Sequence, residues 1–469
     1  MNVTIIGTGY VGLVSGACFA DFGHTVTCVD KDPAKIARLN AGEVPIFEPE
    51  LDRLIAVNAE KGRISFTTDP AEAVAAADVV FLAVGTPSRR GGGHADLTYV
   101  YAAAREVAGL VKGYTVICTK STVPVGTGDE VEAIVREAAP GADVDIASNP
   151  EFLREGAAIG DFKRPDRVIV GAESPRAVAA MRELYRPLFL NETPILFTTR
   201  RTAELAKYAA NAFLATKISF INEMADLCER VGADVQDVAK GMGLDKRIGP
   251  KFLNAGPGYG GSCFPKDTLA LAATAEDYGA PVSIVDAVIA ANQRRKERMA
   301  NVVAEAAGGT LRPGGLEGRK VAVLGLTFKP LTDDMREAPS LTIIAALQAA
   351  GAKVTAYDPE GMGEAAKHLD VAFAPGAYEA MSGADITVIV TEWNEFRALD
   401  LCRMKAVMRG DALVDLRNIY TAEAAECAGL TYRSIGRPAG GDVPGVAGSV
   451  AEAGTVAEAG GPKLSLLSS

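Results

Sequence analysis

Val3-Thr4-Ile5-Ile6-Gly7-Thr8-Gly9-Tyr10-Val11-Gly12 runs a short apolar stretch into three glycines. Leu13 to Phe22 then carries helical spacing, and a second apolar run, Thr25 to Val29, ends on Asp30. A strand that opens through Gly-x-Gly-x-x-Gly into a helix, with an acid about 20 residues on, is the pattern of a dinucleotide cradle. Gly7, Gly9 and Gly12 let backbone approach a pyrophosphate, the helix N-terminus stabilises its charge, and the carboxylate holds ribose hydroxyls. Asp30 repels a 2′-phosphate, so NAD is favoured over NADP; Lys31 and Lys35 nearby weaken that preference. A Gly-rich turn with no nucleotide is the competing reading.

Working outward, apolar runs at 3–6, 25–29, 79–84, 116–119 and 144–147 alternate with Ala-rich helical patterns. That rhythm predicts β-α-β units and a parallel sheet covered by helices. From about 200 to 232 the chain has no Pro or Gly until Gly232. Leu205, Ala209, Ala212, Phe213, Phe220, Met224, Leu227 and Val231 recur near the helical period. This predicts one long helix with a soft start, since Thr202 lacks a capping box; such a helix links domains or forms a subunit interface. The β-α-β rhythm returns at 321–324, 353–357, 386–391, 412–415 and 431–434, after a Gly- and Pro-containing linker at 311–318. Gly, Ala, Val and Ser without periodicity follow Pro438 and predict a flexible tail.

Composition excludes several classes. The 469 residues are 48% hydrophobic, which rules out disorder for most of the chain. No apolar stretch reaches the ~20 residues of a spanning helix, and the N-terminus is not expected to act as a signal peptide. A net charge of −11 disfavours nucleic acid as a partner. Seven cysteines without a Cys-x-x-Cys predict neither a disulfide framework nor a zinc site, and fit a reducing, cytoplasmic setting. With only His24, His94 and His368, acid–base chemistry is expected from Lys, Asp, Glu or Cys.

One segment stands out for chemistry: Gly258-Tyr259-Gly260-Gly261-Ser262-Cys263-Phe264-Pro265-Lys266-Asp267. Pro265 suits the first turn of a helix, which puts Cys263 just before a helix N-terminus with Lys266 three residues on. Both features are expected to lower its pKa, and Asp267 is placed to activate a water. The alternative is a small buried cysteine, the reading adopted for Cys18, Cys28 and Cys118. Lys207 and Asn211, four apart, share a helix face and suit an oxyanion, although spacing alone favours a solvated face. Glu151 and Glu155 follow the carboxyl end of a strand, where α/β proteins bind ligands; they serve as bases or as a plain charged helix start. Thr122, in Lys120-Ser121-Thr122-Val123-Pro124, orients water or cofactor, or caps the next helix.

These motifs together resemble the UDP-glucose/GDP-mannose dehydrogenase family, and within it the UDP-glucose 6-dehydrogenases. Gly7 to Gly12, Lys120 to Thr127, Asn149-Pro150-Glu151-Phe152-Leu153-Arg154-Glu155, Gly260 to Asp267 and Gly325-Leu326-Thr327-Phe328-Lys329 carry the resemblance, which covers Met1 to about Pro438. It implies oxidation of UDP-glucose at C6 with two NAD⁺ per turnover, through a cysteine thiohemiacetal and a thioester that water hydrolyses. It implies Cys263 as nucleophile. Lys207 and Asn211 become oxyanion stabilisers, and Asp267, Thr122 and Glu151 position water. Gly7, Gly9, Tyr10, Val11, Gly12, Asp30, Lys35, Thr86, Thr122, Glu155, Lys266 and Arg336 are implied NAD contacts. Phe152, Leu153, Arg154, Glu155, Lys207, Asn211, Phe252, Leu253, Asn254, Ala255, Gly256, Gly260 and Lys329 are implied substrate contacts. Arg247 matches an arginine that enters the neighbouring subunit's site, and the long helix matches a dimer core.

The expected architecture is α/β, two Rossmann-like doubly wound domains joined by a long central helix. The divisions are 1–199 for NAD, 200–310 for a central helical dimerisation region with the cysteine loop, 311–437 for the UDP-sugar, and 438–469 for the tail. The rival functions are a sister enzyme for GDP-mannose or a UDP-N-acetylhexosamine, a two-electron dehydrogenase needing no cysteine, and a non-catalytic NAD sensor. No metal is expected.

Overall fold

The computed structural model describes residues 1–89 and 93–438. The opening run forms β1 (Asn2–Ile6), four of whose five residues are buried. A strand covered on both faces needs such a continuous apolar stretch. Around it pair β2 (Thr25–Val29), β3 (Ile64–Thr67), β4 (Val79–Leu82), β5 (Thr115–Thr119), β6 (Val144–Ser148), β7 (Val168–Gly171) and β8 (Ile195–Thr198). Their spatial order is β3-β2-β1-β4-β5-β6-β7-β8. The chain crosses from one side of β1 to the other between β3 and β4, so a crevice opens beyond Ile6 and Leu82. That is where doubly wound sheets take their ligands. Helix α1 (Tyr10–Asp21) covers one face, with Phe19 stacked on Phe81 at 5.3 Å.

The sheet is not wholly parallel. β7 meets β6 antiparallel through Ser148 and Gly171, and β8 follows β7 in parallel. The strands β3, β7 and β8 each hold only four residues, too few for their pattern to declare itself.

A second sheet gathers β9 (Lys320–Leu324), β10 (Lys353–Tyr357), β11 (Ala372–Phe373), β12 (Ile386–Ile389), β13 (Ala412–Asp415) and β14 (Thr431–Ser434) in the order β11-β10-β9-β12-β13-β14. All its pairings are parallel.

Between the sheets runs α2 (Arg200–Val231), 32 residues, a rod of about 48 Å at 1.5 Å per residue. Its start is firm rather than soft, because the Thr199 side chain, one position before the helix, accepts the Thr202 N–H. Gly232, at φ 77, ends it. The helix buries small apolar residues such as Ala212 and Ala215 together with polar ones and turns much of its large apolar pattern outward. Glu204, Lys207, Asn211, Ser219 and Asn222 are buried, while Leu205, Phe213, Phe220, Leu227 and Val231 are exposed. Helix α3 (Phe264–Asp277) packs on α2, and α4 (Ser283–Ala306) packs on α2 and on helix Pro339–Ala349 of the second domain. The expected linker at 311–318 is a packed turn: Leu316 is buried and its N–H donates to the Ala350 carbonyl. Among the described residues no helix is long and apolar enough to cross a membrane. The tail expected from 438 lies, but for Pro438, outside the described residues.

Candidate active site

The cradle is built by contacts that exclude side chains in one place and leave room in another. A Cβ on Gly12 would stand 1.9 Å from the Gly7 carbonyl oxygen. Gly9 precedes α1, and a Cβ there would meet nothing within 4 Å. A tight turn beside an open helix N-terminus suits a pyrophosphate. At the end of β2, one Asp30 oxygen accepts Thr8 N–H at 2.9 Å and Thr8 Oγ1 at 2.6 Å, and the other accepts Asp32 N–H. Partial burial opposes its charge, but the Thr8 bonds prevail and hold the carboxyl at about 2. Lys35 Nζ sits 3.1 Å from Asp30, and Lys31 pairs with Glu106 at 2.9 Å. Both lysines that weakened the case for NAD are thus engaged. Thr86 Oγ1 donates to the Thr122 carbonyl, which joins the loops after β4 and β5 at the crevice. Val11 lies half-buried beside them.

The second sheet repeats this design with the carboxylate closed in. Asp358, at the end of β10, accepts Leu326 N–H, Thr327 N–H, Glu360 N–H, Gly361 N–H and Trp393 Nε1–H and is fully buried. Its carboxylate has no free face for a ribose, so the dinucleotide belongs to the first sheet.

Cys263 immediately precedes α3 and lines a cavity of about 560 Å³. The same cavity takes in Glu151, Phe152, Leu153, Arg154, Lys207, Asn211 and Phe252. Lys207 and Asn211, four apart on α2, therefore face a shared interior rather than solvent. Lys207 Nζ donates to Glu151 Oε1 at 3.2 Å and lies 5.2 Å over the Phe152 ring. Asn211 Nδ2 donates to Asp267 at 2.6 Å. Burial works against the Lys207 cation, but Glu151, Cys263 and Asp267 together raise its pKa above the ordinary value, so it stays an ammonium.

The expected activation of the thiol by Lys266 is not found. Lys266 Nζ bonds Asp267 at 2.7 Å instead. Burial pushes the Cys263 thiol up to about 11; Lys207 opposes that, and Glu151 and Asp267 reinforce it. Nor is the 151–155 segment a helix start. It is a loop whose Glu151 is buried and accepts Leu153 N–H, while Glu155 accepts Ser262 Oγ at 2.9 Å and Thr332 Oγ1 at 3.3 Å. Burial, with Asp334 nearby, raises the Glu155 pKa. Arg336 reaches Glu155 at 3.5 Å, and burial lowers the pKa of Lys329 against the pull of Glu155.

The remaining substrate candidates divide. Phe252 tilts against Phe264 at 6.0 Å on the cavity wall. Leu253 is core, and Asn254 and Ala255 line a second cavity of about 440 Å³ that also meets Glu392 and Arg417 of the second domain. Gly256 N–H is held by Asn222 at 2.8 Å. A Cβ on Gly260 would stand 2.3 Å from the Glu337 carbonyl, so the cysteine loop and the second domain touch there. Thr122 does not line the large cavity, and Arg247 is not brought to it; that side chain is exposed and pairs with Asp245.

Three residues escaped the sequence reading. Glu48, buried, receives Tyr10 OH, Gly156 N–H at 2.6 Å and Ala158 N–H at 2.8 Å, tying the cradle to the 151–157 loop. Glu204 on α2 accepts Gly126 and Gly128 N–H and so caps helix Thr127–Ala138, for which a Thr122 cap was one of two readings. Lys120 lines the cavity, bonded to Asn149 and Tyr185, with its pKa pushed down to about 8 by burial. A lone carboxylate between motifs gives no spacing signal; only Lys120 sat within a quoted motif.

Fold and cradle define a class, the NAD-linked dehydrogenases built on doubly wound sheets. Residues 1–189 match the NAD-binding domain of the UDP-glucose/GDP-mannose dehydrogenase family, 201–294 its central domain and 322–422 its UDP-binding domain. A Rhizobium meliloti (strain 1021) protein named UDP-glucose 6-dehydrogenase is 63% identical over 443 residues, spanning 93% of this chain and 100% of that one. The solved UDP-glucose dehydrogenase of Pyrobaculum islandicum is 40% identical with a TM-score of 0.83, covering 90% of this chain and 95% of that one. A UDP-D-ManNAc dehydrogenase of Pyrococcus horikoshii is 26% identical at a TM-score of 0.80, covering 93% and 99%. The chain belongs to the UDP-glucose/GDP-mannose dehydrogenase family, and its cofactor is NAD.

Proposed function

We propose that this chain oxidises UDP-glucose to UDP-glucuronate at the Cys263 cavity, as a cytoplasmic homodimer. The observation that carries the reading is one cavity lined by Cys263, Lys207, Asn211 and Glu151, with Arg154, Arg164, Arg167, Lys217 and Lys251 around it. The polar groups beside Cys263 suit a reacting carbon, and the five cations suit a diphosphate. The identity to UDP-glucose 6-dehydrogenases supports glucose as the sugar.

NAD, when bound, takes up the hydride in each of two oxidations. Lys207, held protonated, donates to the C6 oxygen, and Asn211 shares that charge. Glu151, bonded to Lys207, accepts the proton released when the alcohol becomes an aldehyde. The Cys263 sulfur then adds to the aldehyde carbon, its proton ending on the new hydroxyl. Glu151, having released its first proton to water, takes the hydroxyl proton in the second oxidation, which leaves a thioester. Water, oriented by Asp267 with Glu151, adds to that carbonyl, the C–S bond breaks, and the thiol regains its proton from the water; Thr122, outside this cavity, is left its cofactor role.

Gly7, Gly9, Tyr10, Val11, Gly12, Asp30, Lys35, Thr86, Thr122, Glu155, Lys266 and Arg336 are assigned to NAD. The 152–155 loop, 252–256, Gly260 and Lys329 are assigned to the nucleotide sugar. The exposed Leu205, Phe213, Phe220, Leu227 and Val231 on α2 support a homodimer through that helix, because such a stripe on a monomer is otherwise left in water. Arg247, exposed and paired with nearby Asp245, lies where a partner's site can meet it. Widely spaced free cysteines are consistent with a reducing compartment.

The deciding assay counts NADH per UDP-glucose, with GDP-mannose and UDP-N-acetylglucosamine in parallel and Cys263→Ala beside the parent. Two NADH per UDP-glucose and an inactive Cys263→Ala support the reading. One NADH, with the variant active, reduces Cys263 to structure. Two NADH only from a competitor keeps the chemistry and changes the sugar.

A further inference from the structure

Helix α4 turns three polar side chains inward. Asn292, Arg295 and Lys296, at i, i+3 and i+4 and so on one face, are all buried. Buried cations cost stability, and an apolar face would pack α4 more favourably. Each of the three is bonded to loop backbone. Asn292 pairs with Tyr259 twice, accepting its N–H at 2.9 Å and donating to its carbonyl at 3.0 Å. Arg295 Nε donates to the Gly256 carbonyl at 2.9 Å, while its other arm pairs with Asp226 on α2. Lys296 Nζ donates to the Glu337 carbonyl at 2.9 Å, where the second domain's backbone turns through a left-handed residue at φ 53.

The loop fits this face closely. A Cβ on Gly258 would stand 2.9 Å from Asn292 Oδ1, and one on Gly260 would stand 2.3 Å from the Glu337 carbonyl that Lys296 holds. Residues 256–261 are therefore fixed from α4 on one side and from the second domain on the other. Two residues later comes Cys263.

We propose that this face of α4 is a positioning device for the reaction: Asn292, Arg295 and Lys296 set the backbone of 256–261, and through it the substrate segment and the thiol, relative to the second domain. None of the three lines the Cys263 cavity, so they act through the loop. The proposal rests on the active site assigned above.

The test uses full-length Arg295→Ala and Lys296→Met, their folding checked by circular dichroism and thermal melting. Arg295 adjoins a cavity of about 280 Å³ between α2 and α4, and one of its amino nitrogens is buried without a partner among the described residues. Added guanidinium at low millimolar concentration can therefore refill the Arg295→Ala site. Losing a charged hydrogen bond to the loop predicts a rise of about tenfold or more in KM for UDP-glucose, with KM for NAD within about twofold of the parent. Guanidinium restores part of kcat/KM in Arg295→Ala and none in Lys296→Met. Parent-like KM and kcat in both folded variants overturn the proposal. So does a fall in kcat alone, with both KM values unchanged and no rescue, which is the mark of fewer active molecules. Cys263→Ala, assayed beside them, separates the two readings. If it retains acid production, the active site is misassigned; if it is inactive while the α4 variants are normal, only the positioning role fails.

Discussion

Replacing Lys207 with Met should make Cys263 harder to ionise. With the thiol at about 11, roughly 1% is thiolate at pH 9. Burial raises that value, and the Lys207 ammonium is the main group opposing it. Removing one nearby cation moves a thiol up by about one unit or more, so thiolate at fixed pH falls about tenfold. Glu151, left without its ammonium partner, pushes the same way. The converse variant, Glu151→Gln, deletes a charge that raises the thiol and should speed alkylation of Cys263, whatever it does to turnover. The assay is the second-order rate of iodoacetamide alkylation between pH 7 and 10. Exposed Cys402 and Cys427 are first changed to Ser; Cys18, Cys28, Cys118 and Cys228 are buried and silent. Parent rates should climb about tenfold per pH unit with no plateau by pH 10. A plateau below pH 9, or a Lys207→Met rate equal to the parent's, would refute the reasoning.

Three other expectations follow from single contacts. Asp30→Ala removes the ribose acceptor and frees Lys35, which lies 3.1 Å away, so NAD affinity should drop about tenfold or more while NADP affinity rises; fluorescence titration of both cofactors checks this, and an unchanged ratio counts against the cradle. Gly260→Ala places a Cβ 2.3 Å from a backbone oxygen; thermal and urea melts should show a loss of about 1–3 kcal/mol, as for an overpacked core, and an unchanged melt would mean the contact is slack. Glu48→Gln keeps the shape but removes the charge that receives Tyr10, Gly156 and Ala158; KM should rise for NAD and UDP-glucose together, whereas a rise for one alone would show that the cradle and the 151–157 loop are independent.

What could be read in advance was what repeats or what carries a motif. The strands around β1 announce themselves because burial on both faces demands unbroken apolar runs. The cradle is legible because its glycines answer steric needs, as the 1.9 Å contact at Gly12 shows. β11 is two residues long and could not declare a period. Helix α4 went unread because its face holds Asn292, Arg295 and Lys296 where a core pattern requires apolar side chains. A similar burial of polar side chains makes α2 readable as a helix and misleading as to which face is buried. Spacing placed Lys207 and Asn211 together, but only the fold closes Glu151 and Asp267 over them. The state of Cys263 was misjudged because sequence shows Lys266 close by and cannot show that Asp267 has taken it.

The two sheets divide the work by how their equivalent carboxylates are used. Asp30 keeps an exposed edge, with Lys35 and Thr8 on one side and solvent on the other. Asp358 spends both oxygens on backbone N–H groups and Trp393 and has no surface left. A fully buried carboxylate cannot hold a dinucleotide's ribose as partly exposed Asp30 can, and the loop after β9 is left to make other contacts. That loop carries Lys329, Thr332 and Arg336 to Glu155, and Glu337 to Gly260 and Lys296. The second domain thus closes the cysteine loop from outside, through hydrogen bonds at Gly261 and Glu337 and through a shared apolar core that joins Leu253 and Ala255 to Leu326, Met335 and Ala338.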